Sequence, residues 1–329
     1  MTRDKEYFLS KTPRQIGLEN SLKELYAARG EYLKPELQKE WKAFPNKLTL
    51  YQNLDKLPSA GSFEIYAKRE ELHSTSEEVA LACCIHGAIR IAESLELLTK
   101  GMISALEFSK KVGKDKKVVE QKLIRGYVVG AYSVGRDWMI PENAEFMDYR
   151  ISVGRDERVI LKLRPSKTNS KNNKEYYLSK TPRQIGFECD EDILRRDLKA
   201  LVPEKLWNRW KLFGGINAIR SRLDTIQKPA DYVNIINERN VLHVSPIEMA
   251  VACAIHCAIC VAEAREAVFY NMLPCAEYAK KVGVKNPDIV RQKCGRGNVA
   301  GATKIGSMWF IPQNTDYYER KPRKAAKAE

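Results

Sequence analysis

Cys275-Ala276-Glu277-Tyr278-Ala279-Lys280-Lys281-Val282-Gly283 is followed by Val284-Lys285-Asn286-Pro287 and then by a second mixed run ending at Arg296-Gly297. The first run gathers its apolar residues on one helical face and closes on glycine, which readily takes the left-handed conformation at a helix end. Asn286 is a good N-cap for a second helix. Pro287 suits the first helical position, where its missing N–H leaves nothing unsatisfied. Val299 to Ile305 and Met308 to Pro312 read as two short strands turning at Gly306-Ser307. The predicted order is helix, turn, helix and hairpin.

The same order stands earlier in the chain, from Ala105-Leu106-Glu107-Phe108 through Val112-Gly113, Arg125-Gly126 and Gly130-Ala131 to Trp138-Met139-Ile140-Pro141. The repetition is wider than this pattern. Lys5-Glu6-Tyr7-Phe8-Leu9-Ser10-Lys11-Thr12-Pro13-Arg14-Gln15-Ile16-Gly17 recurs from Lys174 to Gly186 with one change, Phe8 to Tyr177. Trp41-Lys42-Ala43-Phe44 recurs as Trp210-Lys211-Leu212-Phe213, and Ala82-Cys83-Cys84-Ile85-His86 as Ala252-Cys253-Ala254-Ile255-His256. The offset grows from 169 to 170 to 171 along the chain, so two single-residue indels relate the copies. Such regularity points to a tandem duplication.

Capping boxes mark the helix starts. Thr12-Pro13-Arg14-Gln15 and Thr181-Pro182-Arg183-Gln184 each put a side-chain acceptor and a proline at a helix entrance. Thr75-Ser76-Glu77-Glu78 and Ser245-Pro246-Ile247-Glu248 open long helices that are apolar nearly all round, running to about Leu98 and Val268. The fold class expected is mainly α, each copy being a helical subdomain followed by two helices and a small β-hairpin. The expected boundaries are 1–100 and 101–148 for the first copy, 149–174 for a basic linker, 175–270 and 271–317 for the second copy, and 318–329 for a basic tail. Within the linker, Val159-Ile160-Leu161-Lys162-Leu163 has the composition of one strand.

The 329 residues carry a formal charge of +14, which favours an acidic partner. The placement of that charge is more informative. From Met102 to Pro141 eight Lys or Arg stand against four Asp or Glu, and from Met272 to Pro312 seven stand against two. The linker and tail are also basic, whereas residues 1–101 and 175–271, the helical subdomains, are together neutral. A charge serving solubility alone would be spread evenly. No secretory signal pattern is evident, and the longest apolar run, Met249 to Ala264, contains His256 and is short for a membrane span. Eight cysteines without framework spacing read as free thiols. These features predict a soluble, cytoplasmic protein that does not engage a membrane.

Helix, turn, helix and wing together read as a winged helix-turn-helix. The pattern Ala276-Glu277-Tyr278-Ala279, Val282-Gly283, Val290-Arg291, Arg296-Gly297, Gly301-Ala302, Ile305-Gly306 and Trp309-Phe310-Ile311-Pro312 resembles that of excisionases and MerR-type regulators. The first copy resembles it through the residues quoted above, with one residue fewer between Gly113 and its second helix and with Arg136 where the second copy has Ser307. The resemblance covers about a quarter of the chain, and it implies duplex DNA as partner, with the second helix in the major groove.

Val119 with Leu123, and Val290 with Cys294, are spaced to face inward. This leaves Lys117, Glu120 and Gln121 outward in the first copy and Asp288, Arg291 and Gln292 in the second. Lys116, Lys122, Arg125 and Arg136, with Lys285, Asn286, Lys293, Arg296 and Lys304, complete the candidate DNA contacts. The charges at the outward positions are inverted between copies. Arginine suits guanine and an acid suits cytosine, so the copies are expected to prefer different base pairs.

Lys11, Thr12 and Arg14, and their equivalents Lys180, Thr181 and Arg183, stand at helix N-termini. They admit two readings, a phosphate clamp or a capped helix fixed against the core. His86 and His256 read as core histidines, and Cys257 with Cys260 as packed small hydrophobes rather than metal ligands. No phosphate-binding glycine loop, paired-carboxylate signature or nucleophile elbow appears, so no catalysis, metal or cofactor is expected.

The function expected is sequence-specific duplex DNA binding, as a transcriptional regulator or an excisionase-like architectural factor, by one chain acting as a monomeric pseudo-dimer. The alternatives are an adaptor whose helical subdomains bind a protein partner, and a nucleic-acid-processing component. A flexible linker of this length has a reach of roughly 28 Å, comparable with the roughly 34 Å of one helical turn. Half-sites one turn apart are therefore expected.

Overall fold

A computed structural model describes residues 3–39, 47–58, 73–134, 137–146, 173–208, 216–229, 243–305 and 308–317. The protein is mainly helical with small antiparallel sheets. Helices α1 (Lys5–Ser10), α2 (Pro13–Glu19), α3 (Leu22–Tyr32) and α4 (Lys47–Asn53) precede the long α5 (Ser76–Thr99). There follow β1 (Met102–Ser104), α6 (Ala105–Val112), α7 (Lys116–Ile124), β2 (Tyr132–Val134) and β3 (Asp137–Pro141). The order then recurs as α8 (Lys174–Ser179), α9 (Pro182–Glu188), α10 (Glu191–Leu201), α11 (Ile216–Arg220) and the long α12 (Pro246–Phe269). It closes with β4 (Met272–Pro274), α13 (Cys275–Lys281), α14 (Pro287–Gly295), β5 (Thr303–Ile305) and β6 (Met308–Pro312). The strand expected at Val159 to Leu163, the repeated Trp-Lys-x-Phe and the basic tail lie outside the described residues.

Each small sheet has three strands rather than the two of a hairpin. β1 pairs antiparallel with β3, Ile103 opposite Ile140, and β4 pairs with β6, Leu273 opposite Ile311. The strand expected over Val299 to Ile305 is also shorter than that. Only Thr303–Ile305 is extended, because Gly301 turns the chain at a φ of 68° just before it.

Residues 90–268 form one compact unit, and residues 1–89 with 269–329 form the other. Each unit thus combines the helical region of one repeat with the α/β module of the other. The two ends of the 149–174 segment fall inside a single unit.

The unit 90–268 is organised around Arg183 on α9, which is 2% exposed. Its Nε and Nη2 donate to the two oxygens of Asp224 at 2.7 and 2.9 Å. Its Nη1 and Nη2 also donate to the carbonyls of Leu97 and Lys100, at the C-terminal end of α5. Those carbonyls have no partner within their own helix and carry the negative end of its dipole, so a guanidinium satisfies both needs. Beside it Tyr132 of β2 stacks on Phe187 with ring centres 4.2 Å apart and donates its hydroxyl to Leu98 O. Gln184 Nε2 donates to Ala131 O at 3.0 Å.

The other unit repeats the device. Arg14, 1% exposed, donates from Nε and Nη2 to Asp55 and from Nη2 to Tyr270 O, just past α12. Tyr51 stacks on Tyr270 at 5.1 Å, and Phe269 meets Phe310 at 4.7 Å.

The long helices are core elements. His86 is 1% exposed and its Nε2 donates to Leu37 O at 2.7 Å, while His256 does the same to Leu206 O at 2.8 Å. All eight cysteines are free and buried. α12 has the length and hydropathy of a membrane span, but 83% of that apolar window is buried within the protein.

Two outcomes follow from this packing. Replacing Arg183 with leucine strands Asp224 and the α5 carbonyls. It is expected to lower unfolding free energy by about 3 kcal/mol, near the low end for a broken buried pair because Asp224 keeps some water. Urea unfolding of Arg183→Leu, Asp224→Leu and the double variant measures this; strictly additive losses would show that the two side chains do not act as a pair.

Burial holds the His86 imidazole below its ordinary value of 6.5, so the unfolded chain binds the proton more readily. The stability this contributes is complete above about pH 6.5 and is lost as pH falls below it. His86→Gln retains a donor to Leu37 O and is expected to flatten that acid-side slope in urea titrations from about pH 5 to 8.

Candidate nucleic-acid interface

The first module, from β1 to β3, closes on Ala105, Phe108, Val119, Leu123, Val128 and Ile140, with Trp138 packed against them. The second closes on Cys275, Tyr278, Ala279, Val290, Cys294, Val299 and Ile311, with Trp309 alongside. Val119 with Leu123, and Val290 with Cys294, are buried on the inner faces of α7 and α14, as their spacing predicts.

The caps fix how those helices begin. Asp115 accepts from Lys117 N at 2.7 Å, and Asn286 from Asp288 N at 3.0 Å. Gly113 and Gly283 end the preceding turns at positive φ. Lys111 Nζ donates to Glu142 O, and Lys281 Nζ to Gln313 O, tying the helix before each turn to the chain beyond β3 or β6.

On the outer face of the first module Lys116, Lys117, Gln121 and Arg125 are exposed, and Glu120 and Lys122 are half-buried. Lys116 pairs with Glu120 at 3.1 Å, and Lys122 Nζ lies 5.1 Å from the centre of the Tyr127 ring. On the second, Lys285, Asn286, Asp288, Arg291, Gln292 and Arg296 are exposed, as is Lys304 on β5. Lys293 sits over Tyr317 at 4.0 Å, and Arg291 pairs with Asp288. The module residues named from sequence, apart from Arg136, thus lie on the outer face of one helix with its flanks or on the adjoining strand. Arg136 at the wing tip lies outside the described residues.

The N-terminal residues of α2 and α9 belong elsewhere. Arg14 and Arg183 are committed to the buried contacts described above. Thr12 and Thr181 cap their helices through Gln15 and Gln184. Leu54 O accepts from Arg14 N and Leu223 O from Arg183 N, which takes up backbone donors that would otherwise attract an anion. Lys11 and Lys180 are paired with Glu19 and Glu188. Of the two readings of this motif, the capped helix fixed against the core is what the geometry describes; neither guanidinium faces solvent as a phosphate clamp requires.

Two features escaped the sequence. β1 and β4 are too short for any alternation to show. The partner of the buried arginine was visible only as Leu54-Asp55 recurring as Leu223-Asp224, at the same offset as the arginines themselves.

The Gly-Ala and Ile-Pro pairs of the repeated pattern are one contact. Gly130 has φ 80°, and a Cβ there would stand 2.7 Å from Pro141 Cγ; Gly301, at φ 68°, would meet Pro312 Cγ at the same distance. Glycine is required twice over, for its backbone angle and for the approach of proline at the base of the sheet. Comparison of the chain with protein-family models, characterised proteins and solved structures found no match to any of them.

Gly130→Ala is expected to cost about 1–3 kcal/mol and to displace β3 from α6. Thermal unfolding with hydrogen exchange at Tyr132 to Val134 checks it, and unchanged protection there would show that the glycine is not structurally required.

Proposed function

We propose that this chain is a sequence-specific duplex DNA-binding protein, a transcriptional regulator or an architectural factor of the excisionase type. Each module acts as a winged helix-turn-helix, and the two derive from a tandem duplication. The observation that carries this reading is the outer face of α7 and α14. Each is a capped helix anchored by one apolar edge in its module's core, with cationic and amide side chains turned outward. A helix of that size fits the major groove, and Lys and Arg beside it neutralise phosphates. The net positive charge of the modules, against neutral helical regions, supports the same reading.

The outward side chains differ between modules, Lys117 and Glu120 standing where Asp288 and Arg291 stand. The site is therefore bipartite with unlike halves, and one chain occupies both. Selection of bound sequences from random duplex DNA by the full chain tests this. The expected result is a composite site bound by one chain, with log affinity falling against log salt at about −0.9 per phosphate neutralised. A perfect palindrome occupied by two chains would refute the internal pairing, and a nearly flat salt dependence would refute DNA binding.

A further inference from the structure

An acid on a surface built to meet phosphate needs an explanation. Asp288 lies in the first turn of α14, its side chain 62% exposed and paired with Arg291, on a helix flanked by Lys285 and Arg296. A carboxylate there repels the DNA backbone and lowers affinity for every sequence. An acid in the first turn favours the helix dipole, but that contribution is small at an exposed site, and Asn286 already caps the helix. The carboxylate does have one specific engagement. Its Oδ1 accepts from Arg291 Nη1, one turn further along the helix.

This contact leaves Arg291 Nε and Nη2 with no acceptor among the described residues. A guanidinium held on one nitrogen keeps its remaining N–H groups in the fixed fork that matches guanine O6 and N7. Unpaired, the same side chain would lose several rotatable bonds' worth of freedom on docking and would reach phosphates as readily as a base edge. We propose that Asp288 is a positioning residue, which presents the Arg291 guanidinium to a guanine and withholds it from the phosphate backbone. The proposal rests on the DNA-binding reading and deepens it at one base pair. It replaces the simpler view of Asp288 as an acceptor for cytosine. The first module differs at these positions. Glu120 occupies the place of Arg291, paired with Lys116, so no arginine is presented there.

The test uses the full-length chain and duplexes derived from the selection experiment. Arg291→Met identifies the position whose guanine preference disappears, and affinities for all four base pairs at that position are then compared. Asp288→Ala is expected to reduce discrimination for guanine there about tenfold. It should leave affinity for unrelated duplex DNA unchanged or tighter, since a repulsive charge has been removed. Asp288→Glu, which keeps a carboxylate within reach of Arg291, is expected to retain most of the discrimination. A merely structural role would instead weaken all sequences together, and that result would overturn the proposal. Full guanine discrimination in Asp288→Ala would overturn it too, as would loss of a cytosine preference at another position. If the wild-type chain bound no duplex at all, the functional reading itself would fall. DNA binding that Arg291→Met left unaltered in sequence preference would overturn only the role given to this pair.

Discussion

A guanidinium removed from water must find both a counter-charge and acceptors for its N–H groups, or its burial costs several kcal/mol. Arg183 meets both demands at once, with Asp224 on one side and the terminal carbonyls of α5 on the other. The helix end that most needs donors is thereby joined to the helix start at α9, and the aromatic stack of Tyr132 on Phe187 closes beside it. Arg14, Asp55 and Tyr270 O make the corresponding junction in the other unit. Remove these arginines and the α/β modules lose the polar junction that holds them to their helical regions.

That junction explains the strictest part of the repeat. Thr-Pro-Arg-Gln serves as a capping box in both copies, and the box sets the backbone from which the arginine departs. Thr and Gln satisfy the helix start, proline fixes its first residue, and Arg is thereby aimed inward. A sequence motif that reads as a possible anion site is, in three dimensions, already filled by its own chain.

Much of the architecture was legible in the amino-acid order. The long helix expected to end near Leu98 ends at Thr99, and the one expected to end near Val268 ends at Phe269, since capping boxes and continuous apolar runs leave little choice. The inward faces of α7 and α14 followed from i, i+4 spacing. What could not be read were contacts across long separations in sequence. Arg183 is 86 residues from Leu97, and nothing local in either stretch encodes the pairing. Nor does the repeated sequence say which helical region receives which module, because the junction residues Thr-Pro-Arg-Gln and Leu-Asp are the same in both halves. The acid–base pair on α14 was visible as two outward residues, but their engagement with each other depends on rotamers. The pattern that suggested two separate outward residues therefore concealed a joined pair.

The composition of the two units has a bearing on biosynthesis. Chains leave the ribosome from the N-terminus, and domains close as their last residues emerge. The unit 90–268 is continuous and is complete once Val268 is free. Residues 1–89, although made first, lack their module until Phe269 and its successors appear. Residues 1–89 thus wait longest for their partner, with the Tyr51 ring that will receive Tyr270 uncovered meanwhile. Exposure to chaperones and proteases during synthesis is therefore expected to be longest for residues 1–89, and a premature stop anywhere before the second module spares the central unit only if it lies past Val268.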